Sequence, residues 1–171
     1  LPVLSYFSPR RRRATSMARR LQLTAACTSV EERRIRVRLY QGVDLIEIDR
    51  IKVAHDRQGA FGKDIFTEAE LPYCNSRPDP YPHLAGRFAA KEACLKAFGV
   101  GMGGFGAIGR FQEIEVESTP SGKPTLLLHG SMEKMRMRLK IDQVTVSISH
   151  ADSFAVATVM MLGAAAGVEE E

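Results

Sequence analysis

The sequence predicts an α+β fold in which an antiparallel sheet packs against one central helix. Three patterns predict it. Residues 87–99 have the composition of a helix, and the segments before and after alternate apolar and polar residues as strands do. The later alternating segments are joined by short turns, which suits an antiparallel meander.

From Ile35 the alternation of Ile35, Val37 and Leu39 runs into Gly42-Val43-Asp44-Leu45-Ile46-Glu47-Ile48, a strand whose middle carries an acid. An Asp there either caps a turn at the strand end or does chemistry. Residues 49–61 then read as a helix with Arg50, Lys52 and Arg57 on its polar side. Thr67-Glu68-Ala69-Glu70 fits a capping box and starts a helix expected to run to about Asn75. Arg77-Pro78-Asp79-Pro80-Tyr81-Pro82 is a rigid, non-helical connector.

The central helix begins near Pro82 to Leu84. Alanines and straight-chain residues dominate it, no β-branched residue interrupts it, and Gly99 stands where a C-terminal cap belongs. At about 100° per residue, Ala89, Ala90, Ala93 and Ala97 form a small-residue face that lets the helix approach a sheet closely. Leu84, Phe88, Leu95 and Phe98 gather opposite, with Lys91 inside that bulky arc and Glu92 on its border. Burying an unpaired charge is expensive. Either both side chains snorkel to water, Glu92 and Lys96 making an i, i+4 surface pair, or they serve a site.

After a glycine-rich loop at 99–106 the remainder reads as a meander. Residues 111–116 form one strand, Ser121-Gly122-Lys123-Pro124 a turn, and 125–128 the next strand, closed by His129-Gly130. A short helix spans about 131–140. Val144, Val146 and Ile148 alternate with Thr145, Ser147 and Ser149 up to His150, and 154–162 is the last strand. The domain is expected over 35–163, with a frayed tail at 164–171.

The 171 residues suit one domain, and 44% apolar with 26% charged residues is ordinary globular composition. Cys27, Cys74 and Cys94 show neither CxxC spacing nor an even count, against a disulfide framework or a zinc site. A reducing, cytoplasmic compartment is the expectation. The apolar stretch 154–168 is too short to span a bilayer, so no membrane partner is expected. The net charge of +4 is unevenly spread: residues 1–40 carry ten arginines against Glu31 and Glu32, while the remainder is net negative. Nucleic-acid binding would therefore rest on the leader alone, and its test is salt-dependent retention lost on deleting 1–33. No aromatic-and-basic stripe supports it in the domain, and no nucleic-acid partner is expected. Residues 1–34 are read as a basic extension outside the domain, disordered or absent from the mature protein. An organellar transit peptide, a disordered arm, or translated upstream sequence with Met17 as the start would each fit, and the last is favoured.

Within 41–162 the candidates for chemistry are Asp44 in a strand, Glu92 in a helix, flanking Lys and Arg, and the strand-end His150. No nucleophile elbow and no HExxH is present. The loop at 99–106 matches GxGxxG twice, but it follows a helix instead of a strand, and there is no GxxxxGK[ST]. Two carboxylates among basic residues suit a hard cation with phosphate. The residues alone thus indicate a Mg²⁺-dependent enzyme acting on a phosphate or pyrophosphate.

Gly42 to Ile48, Phe66-Thr67-Glu68-Ala69-Glu70-Leu71, and Gly86-Arg87-Phe88-Ala89-Ala90-Lys91-Glu92-Ala93 with Lys96-Ala97-Phe98-Gly99 together resemble the holo-[acyl-carrier-protein] synthases. These are the small type of 4′-phosphopantetheinyl transferase. Gly122-Lys123-Pro124, His129-Gly130 and Ser147-Ile148-Ser149-His150 support the likeness, which covers about 120 of the 171 residues. The resemblance implies the 4′-phosphopantetheinyl transferase fold and transfer of the 4′-phosphopantetheine arm of coenzyme A to a serine of apo-acyl carrier protein, in support of fatty acid biosynthesis. It implies Mg²⁺ on Asp44 and Glu92, and a catalytic role for Glu92 and Lys96. Coenzyme A contacts are implied for Arg87, Lys91 and His150, and carrier docking for Arg50 and Arg57. It also implies a homotrimer with active sites at subunit interfaces. Two positions depart from the family pattern: Val100 where a threonine is usual, and no tryptophan before the 114–116 strand, where Phe111 stands nearby. Relatives serving peptide or polyketide carriers are usually about twice as long, which favours the fatty-acid carrier.

Overall fold

The computed structural model describes residues 37–57, 61–100 and 107–164. The expected leader at 1–34, the tail beyond 164 and the glycine-rich segment 101–106 lie outside the described residues.

Strand β1 (Val37–Glu47) leads into helix α1 (Ile48–Arg57), then come two short helices, α2 (Phe61–Ile65) and α3 (Glu70–Asn75). Helix α4 (Tyr81–Ala97) follows, then α5 (Ala107–Phe111), strands β2 (Ile114–Ser118) and β3 (Pro124–Leu128), helix α6 (Gly130–Arg138), and strands β4 (Ile141–His150) and β5 (Phe154–Ala164). The α+β class holds, but the single sheet does not. β1, β5 and β4 form one antiparallel sheet with β5 in the centre, and β2 with β3 forms a separate hairpin. β4 pairs with β5, not with β3, because α6 intervenes.

Helix α4 is buried almost all round: Leu84 through Leu95, and Ala97, are buried. A helix buried on every side must have layers on both faces. On one face Gly42 of β1 meets it so closely that a Cβ there would stand 1.9 Å from the Ala93 carbonyl oxygen and 2.7 Å from the Ala97 nitrogen. The alanine face and Gly42 are therefore two halves of one contact. On the opposite face Phe88 stacks on Phe111 at 5.5 Å and on Phe61 at 6.4 Å between ring centroids. Phe111 is thus the last residue of α5, its ring in the core, instead of the first residue of a strand. The helix ends as its sequence predicts. Gly99 adopts φ +73°, its N–H donates to the Lys96 carbonyl at 2.9 Å, and the Val100 N–H donates to the Leu95 carbonyl at 2.8 Å, a Schellman closure.

The capping box forms reciprocally. The Thr67 N–H donates to Glu70 Oε2 at 2.9 Å and the Glu70 N–H to Thr67 Oγ1 at 3.4 Å, although regular helix starts only at Glu70. The long helix expected over 49–61 ends at Arg57, and Phe61 opens α2.

Because side chains alternate along a strand, Gly42, Asp44 and Ile46 share the β1 face that meets α4, while Val37, Leu39, Val43 and Leu45 share the other. That outer face is exposed and apolar, and Met160 and Leu162 of β5 extend it. Among the described residues no helix is long and apolar enough to cross a membrane.

Candidate active site

The close approach at Gly42 sets Asp44, two residues further along β1, beside the C-terminal part of α4. Lys96 Nζ lies 2.7 Å from Asp44 Oδ1 and donates to the Val43 carbonyl at 3.2 Å. Glu92, one turn earlier, is 4% exposed, and its Oε1 is buried with no hydrogen-bond partner. Burial first, then the charge of Asp44, pushes the Glu92 carboxyl above the usual glutamate range, while Lys96 opposes the shift. Of the two carboxylates, Asp44 alone holds the Lys96 ammonium, and one buried Glu92 oxygen lacks a partner. That arrangement fits a hard cation with oxygen ligands, such as Mg²⁺, which takes one or two carboxylates and fills its remaining positions with phosphate and water. Among the described residues there is no group of three His, Cys, Asp or Glu that could hold a metal ion.

A second, cationic group lies at the other end of α4. The Arg87 guanidinium, 5% exposed, sits 4.1 Å from the Tyr73 ring centroid, with Nε buried and unpartnered. The Arg77 guanidinium lies 4.5 Å from the same ring. His83 packs edge-on to Tyr73 at 6.2 Å and to His150 at 5.6 Å. The structure thus brings Arg87 and His150 to one cluster, and adds Arg77, His83 and Tyr73, which sequence reasoning missed. Arg77 stood in a proline-rich connector and His83 in the first turn of a helix, where polar residues are ordinary. Among the described residues no hydrogen bond or ion pair joins this cluster to the Asp44, Glu92 and Lys96 group.

Lys91 belongs to neither, contrary to its expected place against coenzyme A. Its Nζ is fully buried, 2.6 Å from Glu70 Oε2, and donates to the carbonyls of Ile65 at 2.8 Å and Phe111 at 2.9 Å. An ammonium has three donors, and all three are used inside the core. Burial pulls the Lys91 ammonium below the usual lysine value, with Glu70 opposing. Glu70 completes the knot by accepting the Val116 N–H at 2.9 Å on Oε1.

Arg50 and Arg57 are exposed on α1 and border a groove of about 470 Å³ together with Glu47, Asp49, Val53 and Ala54. The described thiols offer no nucleophile: burial pushes Cys74 up to about 11 and Cys94 up to about 12.

Comparison with known proteins gives the class of a fold that sets a carboxylate pair and a cationic cluster along one buried helix. Residues 41–159 match the 4′-phosphopantetheinyl transferase superfamily, and the chain belongs to that family. Within it, the chain is similar to holo-[acyl-carrier-protein] synthases. It is 37% identical over 123 residues to that of Moorella thermoacetica, covering 72% of this chain and 93% of the relative. It is 44% identical over 129 residues to that of Herpetosiphon aurantiacus, covering 73% and 99%. The crystal structure of a holo-(acyl-carrier-protein) synthase from Bacillus anthracis in complex with coenzyme A (3′,5′-ADP) superposes with a TM-score of 0.59 at 35% identity, covering 73% of this chain and 96% of that one.

Proposed function

We propose that this chain transfers the 4′-phosphopantetheine group of coenzyme A to a serine hydroxyl of apo-acyl carrier protein. The serine oxygen bonds to the phosphorus that bears the pantetheine arm, and the bond from that phosphorus to the bridging pyrophosphate oxygen breaks. The serine proton is released, and adenosine 3′,5′-bisphosphate leaves with the bridging oxygen. The observation that carries the reading on this chain is the unpartnered, buried Glu92 Oε1 beside Asp44.

Asp44 and Glu92 are the residues that would hold Mg²⁺. Bound there, the ion supplies Lewis-acid stabilisation of the pyrophosphate and orients it. Lys96, held by Asp44 at 2.7 Å and half exposed, is positioned to put positive charge against the phosphoryl oxygens as charge builds on them. Arg87 and His150 bind the phosphate on the adenosine ribose. The nucleophile, a serine hydroxyl, arrives on the partner. Arg50 and Arg57 face an acidic carrier protein, where complementary charge speeds encounter more than it tightens binding. The work of the enzyme is fatty acid biosynthesis in the cytoplasm.

A homotrimer with sites at subunit interfaces is the assembly we infer. Its support is the outer face of β1 and β5, where Val37, Leu39, Val43, Leu45, Met160 and Leu162 are each at least 39% exposed. A sheet face with six exposed large apolar side chains, interrupted only by Gln41 along β1 from Val37 to Leu45, calls for a covering surface. The reading is tested with Asp44→Ala and Glu92→Ala. Each loses Mg²⁺ binding by calorimetry and Mg²⁺-dependent transfer while keeping its far-ultraviolet circular dichroism; full transfer by either variant overturns the metal assignment.

A further inference from the structure

Two lysines of α4 are paired with carboxylates, and they are held in opposite ways. Lys91 is fully buried and spends all three of its donors, on Glu70 and on the carbonyls of Ile65 and Phe111. The Lys96 side chain is 47% exposed, and among the described residues it donates to two acceptors, Asp44 Oδ1 at 2.7 Å and the Val43 carbonyl at 3.2 Å. Asp44 is the more enclosed member of that pair, its side chain 14% exposed. An exposed ion pair made by a long, flexible lysine stem is weak. Lys96 is therefore the member that can leave.

The place Lys96 holds is the one a second cation needs. The charge of Asp44 acts on the Glu92 carboxyl, and the buried Glu92 Oε1 has no partner. A Mg²⁺ ion shared by these two carboxylates requires ligand oxygens at about 2.0–2.1 Å. An ammonium 2.7 Å from Asp44 Oδ1 would then stand within a few ångströms of a doubly charged ion, beside a carboxylate that water screens poorly. Repulsion between the two cations falls on the pair that is easier to break, Lys96 with Asp44.

We propose that Lys96 is the exchangeable counter-ion of Asp44: it neutralises the carboxylate until a divalent cation takes its place, and the displaced ammonium is then free to meet the phosphoryl oxygens. The proposal rests on the metal and coenzyme A reading above. Lys96 thus opposes metal binding to the chain alone, and it becomes available to the phosphate only once the metal is held. A fixed surface pair would stay on Asp44, and a lysine already aimed at phosphate would have nothing to release.

The test is calorimetric titration of Mg²⁺ into the full chain without coenzyme A, for the wild type and for Lys96→Met. Lys96→Met should bind Mg²⁺ about tenfold more tightly, with its far-ultraviolet circular dichroism unchanged. In parallel the wild type is briefly acetylated with acetic anhydride, and labelling of Lys96 is read by peptide mass spectrometry against the exposed Lys123. Saturating Mg²⁺ should raise Lys96 labelling several-fold relative to Lys123, because the amine has left Asp44, while the buried Lys91 stays unlabelled. Equal or weaker Mg²⁺ binding by Lys96→Met, or Lys96 labelling that Mg²⁺ leaves unchanged, overturns the proposal and leaves the coenzyme A reading standing. No Mg²⁺ binding by wild type or variant, with coenzyme A present or absent, overturns the metal assignment and the proposal together.

Discussion

Replacing Lys91 by methionine separates a structural lysine from a cofactor-binding one. The substitution keeps the length of the stem and removes three donors at once, from Glu70 Oε2 at 2.6 Å and from the carbonyls of Ile65 and Phe111. Glu70, 1% exposed, would then be an uncompensated buried carboxylate still receiving the Thr67 and Val116 N–H groups. Removing one partner of a buried ion pair costs about 3–5 kcal/mol. That is a large share of a stability on the order of 5–15 kcal/mol. Lys91→Met should therefore lower the urea midpoint strongly, with the slope unchanged. Glu70→Gln combined with Lys91→Met should recover part of the loss, giving a coupling energy of about 1–3 kcal/mol in a double-mutant cycle. The folded fraction of either variant should bind coenzyme A within a few-fold of wild type. A variant that keeps its urea midpoint but loses coenzyme A affinity refutes this reasoning and returns Lys91 to the ligand.

Glu92→Gln should raise stability at neutral pH. A carboxyl whose folded pKa is raised costs stability once pH exceeds its unfolded value, so the gain is present at pH 7.5 and vanishes in acid, as melting temperatures would record. Mg²⁺ should raise the melting temperature of the wild type and not of Glu92→Gln, because only a ligand bound to the native state shifts the equilibrium. Gly42→Ala would drive a methyl into the Ala93 carbonyl, at a cost of about 3 kcal/mol or more, and would move Asp44 from Glu92 and Lys96. Thermal stability and transfer rate should fall together, and an unchanged melting temperature would contradict the packing described. Leu45→Lys, on the exposed sheet face, should shift the protein to monomer by light scattering; an unaltered mass would remove the support that face gives to the trimer.

The central helix and its closure were legible because they depend on neighbours in sequence: the alanine face, Gly99, and no β-branched residue from 87 to 99. Asp44 and Glu92 were legible because acids interrupt patterns that are otherwise apolar. Sheet membership was not, since alternation tells that a segment is a strand and not which strand it pairs with; β4 joins β5 and β1, leaving β2 and β3 apart. Glu70 showed its capping role in the sequence, and nothing local revealed that the same carboxylate turns inward to Lys91. Phe111 and His83 were hidden for a related reason: a buried aromatic and a half-buried histidine acquire their roles from partners distant in the chain.

Apo-acyl carrier protein incubated with the chain, coenzyme A and Mg²⁺, and weighed intact by mass spectrometry, should gain the mass of one phosphopantetheine group. The gain should disappear when EDTA replaces Mg²⁺ or when the acceptor serine is changed to alanine. A folded protein that binds coenzyme A yet leaves the mass of several apo-carriers unchanged would contradict the account.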